Sequence, residues 1–248
     1  MSTLILLRHG ESEWNLSNRF TGWTDVGLTA TGVSEAVVAG ESLVGAGLEP
    51  LVAHTSVLTR AIATLHHTLA AMDRLWLPVL KDWRLNERHY GALQGLSKSE
   101  TAAKYGDEQV FEWRRSFATP PPPLDVDDAR HPSHDPRYAN VSPGDLPASE
   151  SLADVIDRLM PYWHGSIVPD LARHGIVIVV AHGNSLRGLV KHLDNLSEED
   201  VTDLNIPTGI PLVYELEREL DVVSSNYLAS PEVVAAAAQA MADQHKAH

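Results

Sequence analysis

The stretch Leu4-Ile5-Leu6-Leu7-Arg8-His9-Gly10-Glu11-Ser12 has a counterpart far along the chain, Ile178-Val179-Val180-Ala181-His182-Gly183-Asn184-Ser185. Each is an apolar run too short for a helix that ends in His-Gly and then small polar residues. An unbroken apolar run of this length suits a strand covered on both faces, as in a parallel sheet held between helices. Leu51-Val52-Ala53 and Pro211-Leu212-Val213-Tyr214 are further strand candidates. Helical spacing recurs between them. Residues 32–44 follow Thr29 and Thr31, and residues 59–72 set Ile62, Leu65, Leu69 and Met72 on one face. Residues 151–163 and 185–193 behave alike. Strands alternating with helices predict an α/β fold of three layers, α/β/α, around a mostly parallel central sheet. Ligands of such sheets gather at the carboxyl ends of the strands, and both His-Gly pairs fall there.

The chain has 248 residues, enough for one α/β domain with a full core. We read residues 1–229 as that domain. Residues 84–150 are polar and aromatic and become proline-rich from Pro120 through Pro147, so they are expected to leave the sheet as a partly helical excursion covering its active end. The run Pro120-Pro121-Pro122-Pro123 is short and unrepeated, which favours an ordered surface loop over a polyproline ligand. Residues 230–248 form a tail: Ser230-Pro231-Glu232 reads as a helix start, an alanine-rich stretch runs to Met241, and residues from 243 onward are expected to fray.

Composition narrows the function. Lys and Arg number 19 against 33 Asp and Glu, a net charge of −14, which disfavours nucleic acid and anionic membranes as main partners. With 44% hydrophobic and 21% charged residues the chain is a folding sequence rather than a disordered one. No apolar run approaches the roughly eighteen residues needed to span a bilayer, and the N-terminus lacks a basic leader, so a cytoplasmic protein is expected. The absence of cysteine removes disulfides, thiolate metal sites and cysteine nucleophiles.

What remains is histidine and arginine chemistry. A histidine at a buried strand end can attack phosphorus through a neutral ring nitrogen, and the adjoining Arg8 can pair with phosphate oxygens. Gly10 permits close backbone approach. His182 leads into a helix whose first amides would face an anion, and it could donate to a phosphoryl oxygen. Arg60, Arg88, Arg114 and Arg115 are candidate phosphate contacts, whereas Arg74, Arg130 and Arg158 are read as solvated surface charges. Several other chemistries fail on spacing. Gly183-Asn184-Ser185-Leu186-Arg187-Gly188 places its second glycine one residue too late for a serine-hydrolase turn. His9, Glu11, His182, His131 and His134 lack metal-ligand spacing, no Walker A sequence is present, and Gly45-Ala46-Gly47 lacks a dinucleotide pattern. A non-catalytic anion-binding protein would use the same arginines, but it would not need two strand-end histidines together with Glu87.

These features resemble the cofactor-dependent phosphoglycerate mutases of the histidine phosphatase superfamily. Arg8-His9-Gly10-Glu11-Ser12 points to the superfamily alone. More specific are Asn18-Arg19-Phe20-Thr21-Gly22-Trp23, Leu85-Asn86-Glu87-Arg88-His89-Tyr90-Gly91-Ala92-Leu93-Gln94-Gly95, Trp113-Arg114-Arg115, Ala181-His182-Gly183-Asn184-Ser185-Leu186-Arg187 and Asn205-Ile206-Pro207-Thr208-Gly209. They occur in the family's order across residues 2–216, and the match weakens over residues 126–136 and after Leu220. The resemblance implies a phosphoglycerate mutase-like fold and a catalytic domain over residues 1–229, with the tail at 230–248 as a mobile lid. It implies that His9 is the phosphorylated nucleophile, with Arg8, Arg60 and His182 around the phosphoryl group and Glu87 as general acid and base. Arg8, Ser12, Asn15, Thr21, Gly22, Arg60, Glu87, Arg88, His89, Tyr90, Lys98, Arg114, Arg115, Gly183 and Asn184 would hold substrate. The implied reaction interconverts 3- and 2-phosphoglycerate, with 2,3-bisphosphoglycerate as priming donor, no metal, and a homodimer or homotetramer as assembly. A bisphosphoglycerate mutase or a phosphatase of the same superfamily is the alternative; relatives specialised for the former carry serine where this chain has Gly22.

Overall fold

The apolar run at the N-terminus becomes β1 (Ser2–Arg8), and its side chains alternate between two separate cores. Leu4 and Leu6 face one cluster, while Ile5 and Leu7 face the other. A strand apolar on both faces must lie inside a sheet, and β1 does. The computed structural model describes residues 1–243. After β1 come α1 (Glu13–Leu16), α2 (Ala30–Gly45), β2 (Val52–Thr55), α3 (Thr59–Ala71) and β3 (Val79–Lys81). The excursion carries α4 (Lys98–Tyr105) and α5 (Asp107–Arg115) among short 3-10 turns. The chain then returns through α6 (Leu152–Tyr162), α7 (Val168–His174), β4 (Ile176–Ala181), α8 (Gly183–Leu193) and α9 (Glu198–Asp203), and ends with β5 (Leu212–Leu216), β6 (Val222–Tyr227) and α10 (Pro231–Asp243).

The six strands lie in the order β3-β2-β4-β1-β5-β6. β3, β2, β4 and β1 are parallel, whereas β5 and β6 join antiparallel. One sheet face packs Ala39 and Leu43 of α2 with Leu65 and Leu69 of α3. The other packs Leu159 and Tyr162 of α6, Leu171 of α7 and Leu186 and Leu189 of α8. The expected three-layer α/β/α arrangement with a mostly parallel sheet is therefore present. Two strands were not anticipated. β3 is a short edge strand with all three residues exposed, and β6 pairs only with β5, so neither carries the apolar signature of a central strand. Helix α8 begins at Gly183 rather than near Ser185, because the Ser185 hydroxyl accepts from the His182 amide at 3.1 Å and caps the turn earlier. The alanine-rich tail is helical from Pro231, and the expected frayed end at residues 244–248 lies outside the described residues.

The parallel register pairs Arg8 with Ala181, so His9 and His182 leave adjacent strands at the same level. The chain after His9 then turns onto the start of α2 at a separation that admits no side chain. A Cβ on Gly10 would sit 2.2 Å from the Gly32 carbonyl oxygen, and one on Gly32 would sit 2.1 Å from that of Glu11. We predict that Gly32→Ala lowers stability by about 1–3 kcal/mol through this overlap. The check is the midpoint of urea unfolding; an unchanged midpoint would show that the two segments separate freely.

Candidate active site

His9 is 3% exposed, and its Nδ1 lies 2.8 Å from the Gly10 carbonyl oxygen. A carbonyl only accepts, so Nδ1 carries the proton and Nε2 keeps its lone pair. Burial, followed by the charges of Arg60 and Arg8, holds the imidazole well below its usual pKa. The ring is thus neutral at physiological pH and needs no base to become a nucleophile. His182 meets it edge to face, with ring centroids 5.0 Å apart. The His182 Nε2 lies 2.7 Å from the Ser56 hydroxyl, and its buried Nδ1 has no protein partner. Burial and then Arg60 also hold this ring well below its usual pKa.

Two arginines flank the pair. Arg60 on the first turn of α3 is 1% exposed and donates to the carbonyls of Thr24 (3.0 Å) and Gly22 (2.8 Å). Burial lowers it to about 10, so it stays cationic. Arg8 donates to the Ile206 carbonyl at 2.8 Å, and its own carbonyl accepts from the Gly209 amide at 3.1 Å. These bonds tie the phosphoryl end of the pocket to the loops after α1 and α9.

Glu87 is held from one side. Its Oε1 accepts from the Arg88 amide (2.7 Å), the Asn184 amide (3.1 Å) and the Asn184 side chain (2.7 Å). Burial alone would raise the carboxyl pKa. The hydrogen bonds from Arg88 and Asn184, with the charges of Arg8 and Arg60, outweigh it and leave the pKa below the ordinary carboxylate value. Glu87 therefore starts as an ionised base.

The excursion contributes Lys98 from α4 and Arg114 and Arg115 from α5 to the same pocket. Arg115 is braced by the Asn205 side chain at 2.8 Å and the Thr202 carbonyl at 3.3 Å. The pocket is a cavity of about 110 Å³. Its cations lie in a protein of net charge −14, so local focusing rather than overall charge would draw in an anion. Among the described residues no group of three or more histidines and acids could hold a metal ion, and no helix is long and apolar enough to cross a membrane.

Residues 4–224 match the family described as the histidine phosphatase superfamily, branch 1. The chain belongs to this superfamily. Among solved structures, a mycobacterial glucosyl-3-phosphoglycerate phosphatase determined with VO3 is 22% identical with a TM-score of 0.69, over 93% of this chain and 99% of that one. The α-ribazole phosphatase of Shigella flexneri is 20% identical with a TM-score of 0.65, over 92% and 97%. YhfR of Bacillus stearothermophilus is 22% identical with a TM-score of 0.66, over 90% and 94%. At these identities the likeness is one of fold.

This histidine phosphatase superfamily member brings most of the anticipated residues together. Arg8, His9, Asn15, Thr21, Gly22 and Arg60 line the pocket. So do Glu87, Tyr90, Lys98, Arg114, Arg115, Gly183 and Asn184. Ser12, Arg88, His89 and His182 do not line it; His182 is fully buried and reaches the site through its ring contact with His9. Ser12 is fully buried and caps α1 through Asn15. The Arg88 side chain turns away to donate to the Arg114 carbonyl at 2.6 Å and to stack on Tyr90, thereby backing the pocket wall. His89 is fully buried, accepts from the Gly91 amide at 3.1 Å and is lowered to about 3, first by burial. Arg19, Arg187 and Asn205 line the pocket without having been singled out. Each sits inside a quoted motif, but spacing does not reveal which members of a motif converge. Arg158 is not a solvated surface charge either: its side chain is 8% exposed and paired with Glu150 at 2.5 Å.

Lys98 supplies a pH-dependent contact. Burial first, then Arg114, Arg8 and Arg115, lower it to about 7. A bound phosphate dianion favours the charged ammonium and so raises this pKa. Binding of a phosphoglycerate between pH 7.5 and 8.5 should therefore take up a proton, and affinity should fall as pH rises. Calorimetry in buffers of different ionisation enthalpy reads the uptake directly. Lys98→Met should abolish it, and equal uptake by that variant would assign the proton elsewhere.

Proposed function

We propose that the protein interconverts 3-phosphoglycerate and 2-phosphoglycerate through phospho-His9, with 2,3-bisphosphoglycerate as priming donor. The observation that carries this reading is a single pocket that gathers Arg8, Arg60, Lys98, Arg114 and Arg115 with His9 and Glu87. A short acid bearing two phosphoryl groups fits that concentration of positive charge, which exceeds what a single phosphate monoester needs.

The ionised state of Glu87 supports the same reading. Starting from phospho-His9, the nitrogen–phosphorus bond breaks as the glycerate hydroxyl attacks phosphorus and Glu87 takes the hydroxyl proton. In the second half His9 Nε2 attacks the other phosphoryl group, its phosphorus–oxygen ester bond breaks, and Glu87 returns the proton to the leaving oxygen. One proton and one phosphoryl group are exchanged with no net consumption of either. A carboxylate poised as a base suits an enzyme whose resting form is already phosphorylated. Glycine at position 22 is required by the backbone and its packing: its φ is +55°, and a Cβ there would lie 2.3 Å from Oε1 of Gln94.

A second reading, a phosphatase, draws support from the phosphatases among the fold neighbours. Water would then accept the phosphoryl group from phospho-His9. The two are separated by incubating the protein with 3-phosphoglycerate and trace 2,3-bisphosphoglycerate in a chelator. The proposal expects 2-phosphoglycerate to form much faster than inorganic phosphate, and expects His9→Ala to lose both. Phosphate release without 2-phosphoglycerate would establish the phosphatase, and dependence on added manganese would refute the histidine mechanism.

A further inference from the structure

Glu87 lies in a segment without helix or strand, residues 87–90, so its backbone groups must find partners elsewhere. A buried ion pair provides them. Arg158 of α6 donates to the carbonyls of Arg84 (2.6 Å), Asn86 (3.1 Å) and Glu87 (2.9 Å). Glu150 binds Arg158 Nε at 2.5 Å through one oxygen and accepts the His89 amide at 2.7 Å through the other. The Glu150 amide in turn donates to the His89 carbonyl at 2.9 Å. The Glu87 carbonyl takes a second bond, from the Trp23 indole at 2.6 Å, and Arg158 lies over the Trp23 ring at 5.6 Å. Both charged side chains are removed from water, at 8% and 3% exposure.

A pair this buried is a poor way to gain stability, because desolvation offsets much of its attraction, and apolar residues of similar volume often serve folding as well. What apolar residues cannot do is hold three carbonyls and an amide in fixed directions. We infer that Arg158 and Glu150 are positioning residues that fix the main chain of Glu87 and thereby aim its carboxylate at the ester oxygen of the substrate. This rests on the proposed reading, in which Glu87 moves the proton of that oxygen. Oε1 is already committed to three donors, so any rotation of the Glu87 backbone carries Oε2 off line. Neither Arg158 nor Glu150 lines the pocket.

The test compares two donors for single-turnover formation of phospho-His9. 2,3-Bisphosphoglycerate releases an alkoxide that needs a proton carried by Glu87, which the negative charge of the bound donor shifts toward its protonated form, whereas p-nitrophenyl phosphate releases a phenolate that does not. The double variant Arg158→Met with Glu150→Met removes the pair without stranding one buried charge. It should slow phosphorylation by 2,3-bisphosphoglycerate about tenfold or more relative to p-nitrophenyl phosphate, a ratio that a general loss of stability does not move. Glu87→Gln should shift the same ratio in the same direction. If Glu87→Gln shifts the ratio and the double variant does not, or if the double variant slows both donors equally, the positioning role is refuted while the proposed reading stands. If wild type accepts p-nitrophenyl phosphate but not 2,3-bisphosphoglycerate, or if Glu87→Gln leaves the ratio unchanged, the reading fails and takes the inference with it. Should the double variant not fold, Arg158→Lys decides: it keeps the charge but cannot span three carbonyls, and the proposal expects a smaller shift of the same sign.

Discussion

The hydrogen bond from His9 Nδ1 to the Gly10 carbonyl sets the chemistry of the whole site. It fixes the tautomer, presents Nε2, and survives because the ring is buried between two arginines that oppose its protonation. That bond exists only while the chain turns sharply out of β1. The turn in turn depends on Gly10 and Gly32 lying backbone to backbone. A packing constraint between the central strand and α2 thus shapes the turn in which the Gly10 carbonyl selects the protonated ring nitrogen of His9.

The cost of this arrangement is electrostatic. Arg8, Arg60, Lys98, Arg114 and Arg115 are all pulled below their ordinary pKa values, with burial as the leading cause. Among the described residues Glu87 is the carboxylate that lines the pocket with them. In the proposed reaction fixed cations of this kind would meet phosphoryl oxygens without reorganisation. The sheet supplies Arg8 and the excursion supplies Arg114 and Arg115. Arg115 through Asn205, and Arg8 through the Ile206 carbonyl, are tied to the same loop.

Much of the fold was legible because β1 and β4 carry continuous apolar runs that only a two-sided core can accept. β3 and β6 were not legible, since each pairs with one neighbour, β3 has only three residues, all exposed, and β6 is mostly polar after Val223. At the site, His9 and His182 could be paired from sequence because both end a central strand. Side-chain direction could not be read. Arg88 and Arg115 share the look of phosphate contacts, yet Arg88 folds back onto Tyr90 while Arg115 faces the cavity. Arg158 looked like a solvated helix charge because its partner, Glu150, precedes the helix and its three carbonyl acceptors lie over seventy positions away for each of Arg84, Asn86 and Glu87. Only tertiary structure brings these together.

The central claim is that neutral His9 acts through Nε2 with Nδ1 held by the Gly10 carbonyl. Nitrogen-15 and phosphorus-31 NMR of the phosphoenzyme, with labelled histidine, tests it directly. The account predicts one phosphohistidine, at position 9, bearing phosphorus on Nε2 and a proton on Nδ1. Phosphorus on Nδ1, or on any residue other than His9, would contradict it.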